Sequence, residues 1–160
     1  MRRNALDRID LQILHDLQAD GRMTNVDLAE RVGVSAPPCL RRVRALEQAG
    51  YIRGYHADLD PAKLGFAMTV FAQVGLASQH EADLKAFEAL VASWPEVREC
   101  YMLSGDADFL LKIVASDLAS YQTFLTQRLT AAPTVTHVKS AVVYRTSKRE
   151  PGIPVPMEAR

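Results

Sequence analysis

From Asn25 to Gly54 the chain reads NVDLAERVGVSAPPCLRRVRALEQAGYIRG, the pattern of two short helices joined by a tight turn. Leu28, Ala29 and Val32 share one face of the first helix. Ala29 followed by Gly33 fits a close helix–helix contact and then a reversal, because glycine takes φ > 0 with no Cβ to clash. Ser35 stands where an N-cap is needed, its hydroxyl placed to accept from an amide in the open first turn of the next helix. Pro37 and Pro38 would break a helix interior, but in a first turn they forfeit no intrahelical bond. The second helix runs to about Ala49 and stops at Gly50, with Leu40, Val43 and Leu46 on its buried side and Arg41, Arg42 and Arg44 off it. A guanidinium fork grips phosphate or the O6/N7 edge of guanine, so such a helix suits a major groove. The plainer reading is an amphipathic surface helix with solvated arginines.

The flanking sequence favours the DNA reading. Leu6, Ile9, Ile13, Leu14 and Leu17 recur near period 3.6 and stop at Asp20-Gly21, which makes a preceding helix. Tyr51 to Leu59 alternates like a short two-stranded wing. Three helices and a wing form a winged helix-turn-helix module over residues 1–60, large enough to hold a core of its own. Its candidate DNA contacts are Asn25, Ser35, Ala36, Pro37, Pro38, Arg41, Arg42, Arg44 and Arg53.

Charge supports this only locally. Lys plus Arg and Asp plus Glu are 19 each, so no global basic field draws nucleic acid. Between Ser35 and Gly54, however, Arg41, Arg42, Arg44 and Arg53 face a single acid, Glu47. Arg2, Arg3 and Arg8 either extend that footprint or form a solvated tail. A neutral chain with one basic patch gains from multivalency, so a dimer or larger assembly is expected.

Residues 61–65 read as a linker, and beyond them the period changes. Phe66–Leu76 reads as a long strand. Ala82–Trp94 is a helix ended by Pro95, with Leu84, Phe87, Leu90 and Val91 on one face. Val97–Leu103 and Phe109–Ala115 are strands around a Gly105-Asp106 turn. Asp117 caps a helix that buries Leu118, Tyr121, Phe124, Leu125 and Leu129 and ends at Pro133, and Val135–Thr146 is the last strand. The order βαββαβ over 66–149 is ferredoxin-like, which makes the chain α+β overall. An internal echo supports it: helix-Pro95-x-Val97 recurs as helix-Pro133-x-Val135. Two helices on one face leave the other to be covered. Met68, Val70, Ala72 and Val74, or their alternates, are therefore expected to pack against a second subunit. Residues 150–160 form a Pro-rich tail that cannot donate a regular ladder and reads as an extended or disordered end.

Three runs of residues also carry a family resemblance. These are Leu6-Asp7-x2-Asp10-x2-Ile13-Leu14-x2-Leu17-x3-Gly21-Arg22, then Leu28-Ala29-x3-Gly33-x-Ser35, then Arg42-Val43-x2-Leu46-Glu47-x2-Gly50-x-Ile52-x-Gly54-Tyr55. They resemble the Lrp/AsnC family, the leucine-responsive or feast/famine transcription regulators of bacteria and archaea. The likeness runs from about Leu6 to Lys148 and includes a second signature, Ser104-Gly105-Asp106-Ala107-Asp108-Phe109. The resemblance implies a homodimer that assembles to an octamer, and an amino-acid effector held between dimers by this loop and the facing last strand. By position those residues are Met102, Ser104, Gly105, Asp106 and Asp108, with Ser140, Ala141 and Val142 across from them. From the residues alone, turn amides would take the ligand's carboxylate and an aspartate its amine, or the loop is a plain hairpin. Ala107 departs from the aromatic residue usual there, which leaves room for a bulkier apolar or aromatic amino acid.

Other classes find little in the sequence. His15, His56, His80 and His137 lack metal spacing, Cys39 and Cys100 are isolated, and no catalytic constellation or cofactor motif is present. No signal peptide or 18-residue apolar run occurs, so a cytoplasmic, reduced setting with no membrane contact is expected. Two functions remain: an amino-acid-responsive transcription regulator, or an architectural, nucleoid-organising protein that wraps DNA and senses nothing.

Overall fold

The computed structural model describes residues 6–157, so Arg2 and Arg3 lie outside it. The chain forms two compact units, one ending at Asp58 and joined by the segment from Lys148 onward, the other spanning Leu59–Ser147.

In the first unit, α1 (Arg8–Ala19) opens with a capping box: Asp7 accepts from the Asp10 amide, and Asp10 accepts from the Asp7 amide. Helix α2 (Asn25–Val32) is capped by Thr24 and stops at Gly33, whose φ of 71° is the left-handed turn the sequence implied. Helix α3 (Ala36–Gln48) follows at once. Ile13, Leu28, Ala29, Cys39 and Leu46 make the core. Cys39, Val43 and Leu46 form the inward stripe of α3, and Leu40 is exposed, contrary to expectation.

Two further expectations need correction. Ser35 is the N-cap residue, but its side chain makes no capping bond. The reason is chemical: a cap accepts from the N2 or N3 amide, and those positions are Pro37 and Pro38. Segment 51–59 carries no strand. A two-stranded ribbon this short is marginal without a third strand behind it. Instead the Tyr55 hydroxyl donates to Glu47 (3.0 Å) at the end of α3. Burial, then that bond, pushes the phenol up to about 12.

The second unit begins with a 3-10 turn, Ala62–Leu64. It continues as β1 (Met68–Leu76), α4 (Glu81–Ala92), β2 (Val97–Met102), β3 (Phe109–Ala115), α5 (Leu118–Phe124) and β4 (Val135–Val142). The antiparallel sheet has the order β2-β3-β1-β4. Period-2 alternation sends Val70, Ala72 and Val74 of β1 and Phe109, Leu111 and Ile113 of β3 into a core with Phe87, Val91, Tyr121 and Phe124 of the helices. Phe87 packs on Phe109 with ring centroids 4.9 Å apart, and Trp94 meets Phe124 edge-on at 5.4 Å. The unit's own core thus takes Val70, Ala72 and Val74, and their alternates Thr69, Phe71 and Gln73 line the opposite face. The repeat around the two prolines is one turn used twice, Val97 N–H to Trp94 O and Val135 N–H to Ala132 O, each 3.1 Å.

Three details differ from the sequence reading. Leu118 opens α5 and is exposed. After Phe124 the helix widens into a π turn, Leu125–Leu129. Strand β4 stops at Val142, paired with Val70, and the last bond beyond it runs from Val143 N–H to Thr69 O (2.9 Å).

Candidate DNA-binding face and effector loop

The spacing of α3 separates its arginines by role. Pro37, Arg41 and Arg44 fall on the outward stripe and are exposed, as is Arg53 beyond the helix. Among the described residues, Arg41, Arg44 and Arg53 form no ion pair, while Arg31, Arg42, Arg128 and Arg149 do. Because Pro37 and Pro38 lack N–H groups, the first turn of α3 has few backbone donors for a phosphate. The uncapped Ser35 hydroxyl and the arginine side chains are the donors that remain.

Arg42 is committed elsewhere. Its Nη1 donates to Asp7 Oδ2 (2.7 Å) and Asp10 Oδ1 (2.8 Å), which ties α3 to the capping box of α1. The Asp10 and Asp7 bonds raise the guanidinium pKa. The Asp10 amide, with Arg42, lowers that of Asp7. In this structure Arg42 thus braces α3 against α1. Asn25 is similar: its Nδ2 donates to the Ala36 carbonyl (2.9 Å), pinning the start of α2 to the first turn of α3, and its Oδ1 is buried without a partner. Ala36 and Pro38 are half-buried in the same turn.

Asp16 was missed by the sequence reading. It is 1% exposed and accepts from Arg31 Nε (3.1 Å) and Nη2 (3.3 Å), from Gln12 Nε2 (3.0 Å), and lies 3.2 Å from His15 Nδ1. Burial alone pushes this carboxyl up, but the bonds from Arg31, His15 and Gln12 outweigh it and hold the pKa below the ordinary value. A signal was available: Ile9, Ile13 and Asp16 follow the i, i+4, i+7 spacing of a core stripe.

The β2–β3 loop is built against the end of β1. Leu103 N–H donates to the Asp108 carbonyl (2.8 Å), and Asp108 N–H donates to Val74 O (3.0 Å). Both Asp108 carboxylate oxygens are used, one accepting from Leu76 N–H (2.7 Å), the other from Gln79 Nε2 (2.8 Å). Asp108 therefore clamps the loop to the end of β1. Ser104, Gly105 and Asp106 are exposed.

One chain does not gather the eight candidate effector residues. Ser140, Ala141 and Val142 pair with Ala72, Phe71 and Val70. The loop is anchored at Val74 and Leu76, and Leu76 is four to six residues further along β1, roughly 13–20 Å at strand spacing. Alternation divides them again. Ser140 and Val142 share the helix side with Ala72 and Val70, and the Ser140 hydroxyl meets that of Tyr121. Ala141 points to the open face, and Met102, paired with Phe109, takes the helix side.

Among the described residues no group of three or more His, Cys, Asp or Glu is placed to hold a metal, and no helix is long and apolar enough to cross a membrane. Cys39 is buried and Cys100 exposed, both free.

Comparison with known proteins agrees with both halves of this picture. A winged helix-turn-helix DNA-binding family model matches residues 6–53, and a model described as the Lrp/AsnC ligand binding domain matches residues 69–153. A leucine-responsive regulatory protein of Rhizobium meliloti is 57% identical over 143 residues, 89% of this chain and 92% of the relative. A Bkd operon transcriptional regulator of Pseudomonas aeruginosa is 50% identical over 136 residues, 85% and 89% of the two chains. Among solved structures, a transcriptional regulator from Neisseria meningitidis in complex with L-Met superposes with a TM-score of 0.89 at 36% identity, over 93% of this chain and 96% of that one. All three are named as regulators, two of them expressly of transcription. With a DNA-reading module at one end and a ligand-binding domain at the other, the chain belongs to the Lrp/AsnC family of DNA-binding transcriptional regulators.

Proposed function

We propose that this regulator senses a free amino acid at a site completed only between copies of the chain, and that occupancy shifts its assembly and hence its hold on DNA. The observation that carries this reading is the separation of the two candidate half-sites, the Ser104–Asp108 loop and the β4 segment Ser140–Val142, along β1. A ligand touching both would bridge two copies, and binding then favours whichever assembly contains that bridge. The Neisseria regulator's complex with L-Met supports an amino acid as the effector class. Asp106, exposed and without a hydrogen bond among the described residues, is the carboxylate free to take an ammonium group. The short Ala107 leaves space for a large side chain. The uncovered sheet face of Phe71, Leu110 and Val114 supplies the dimer contact.

On DNA, the dimer sets two α3 helices in successive major grooves, with Ser35, Arg41 and Arg44 contacting it and Arg53 extending the footprint. One observation favours the second reading, an architectural DNA-wrapping protein with no effector: each Asp108 carboxylate oxygen already accepts a bond from its own chain. Sedimentation at several concentrations, with and without each of the twenty amino acids, separates the two. A shift with one amino acid that Asp106→Asn abolishes, with DNA binding intact, supports the sensor. Tight DNA binding with no shift for any of them supports the architectural reading.

A further inference from the structure

The Pro-rich tail does not hang free: it crosses a groove in the DNA-binding module. Leu14, Leu17 and Gln18 of α1 form one wall and Tyr51, Ile52 and Tyr55 the other, and with the tail's Gly152 and Val155 they enclose a cavity of about 790 Å³ that the tail borders without filling. Gln18 reads the tail's backbone. Its Nε2 donates to the Ile153 carbonyl (2.7 Å) and its Oε1 accepts the Ile153 N–H (3.0 Å), the pair of bonds a neighbouring strand would supply. The Ile153 side chain itself is 71% exposed, so the seat recognises main chain and not that side chain. Val155 is half-buried, and Arg149 fixes the start of the crossing through Asp58 (2.6 Å).

Gly152 makes the approach feasible. Its φ is 74°, and a Cβ built there would overlap the Gln18 side chain. Pro151, Pro154 and Pro156 pre-set an extended backbone, so little ordering entropy remains to be lost on docking. A groove flanked by aromatic rings, with a side-chain amide bonded to the backbone, has the chemistry that recognises extended proline-rich peptide.

We propose that this groove is a peptide-docking site whose occupant is the chain's own segment 149–156, and that the docked segment braces residues 51–56 behind the recognition helix. Residues 51–56 have no strand partner, and the tail, tied to Gln18 and Asp58, borders the same cavity beside them. This goes beyond the effector reading and does not depend on it.

Limited trypsin digestion of the protein tests the proposal at Lys148 and Arg149, at the N-terminal edge of the docked segment. Gln18→Ala and Gly152→Val should each speed cleavage there roughly tenfold, through loss of the two Gln18 bonds. Both should raise hydrogen exchange over 51–56 and leave the sheet unit unchanged. Cleavage and exchange equal to wild type in both variants would overturn the docking site. Wild-type protection that disappears on dilution would overturn the in-chain occupant and assign the groove to the tail of a second copy.

Discussion

The two units of this chain are held by different forces. Among the described residues, the sheet unit buries fourteen apolar side chains, including interlocked rings, and no charge. The DNA-binding unit buries six and, with them, the carboxylate of Asp16. A core that small fixes that three helices touch, but it does not fix their angles. Directional bonds supply the rest, Asp16–Arg31 between α1 and α2 and Arg42–Asp7/Asp10 between α1 and α3. Such pairs are weak evidence for stability, since desolvation offsets much of the attraction. Their geometry is what a groove-reading helix needs.

The comparison breaks most easily at its apolar end. Phe109 is fully buried against Phe87, so Phe109→Ala should cost about 3–5 kcal/mol and appear as early melting of the sheet unit. A cost under about 1 kcal/mol would mean the rings pack more loosely than they look. At the other end, Asp16→Asn should cost about 2 kcal/mol, below a fully buried pair because Arg31 is 57% exposed and can turn to water. The pH dependence has a definite sign. The folded pKa of Asp16 lies below the reference 3.8, so its contribution is present above 3.8 and is lost as pH falls through the folded value. Acid melting below 3.8 should therefore begin in the DNA-binding unit, and Asp16→Asn should flatten that dependence. Equal acid sensitivity in wild type and variant would assign it to other carboxylates.

The difference between the units also decided what could be read from sequence. Alternation in β1 and β3 and the 3.6 period in α1 and α4 report burial of area, and they gave element order and topology. What escaped was directional or subtractive. Asp16 sits at a core spacing that a hydrophobic pattern passes over. The failed Ser35 cap required counting the amides that Pro37 and Pro38 remove. Arg41, Arg42 and Arg44 are the same residue type within one helical turn, and only the position of Asp7 and Asp10 singles out Arg42. The effector candidates carry over by position along the chain. Whether they meet depends on register, and β4 pairing puts Ser140 opposite Ala72, away from the loop.

A smaller effect is expected from the exposed arginines of α3. Arg41→Ala and Arg44→Ala should leave the melting curve alone and weaken DNA binding similarly for all sequences if each holds a phosphate. The slope of log K against log salt would then fall by about 0.9 per contact. Loss confined to one operator position, with an unchanged slope, would instead mark base reading.

The smallest effect is the most telling, because it sets the two roles of an arginine against each other. Arg42 is partly exposed, so each of its ion pairs is worth about 1 kcal/mol or less to the fold. If it braces α3, Asp10→Asn should weaken DNA binding in the same direction as Arg42→Ala. The double variant should then be little worse than either single one, because both remove one contact. If Arg42 is instead a DNA ligand that the carboxylates hold back, Asp10→Asn releases it: affinity rises, the salt slope steepens, and Arg42→Ala cancels the gain. The sign of the Asp10→Asn change in Kd therefore decides whether the directional bonds of the small unit aim the recognition helix or compete with its target.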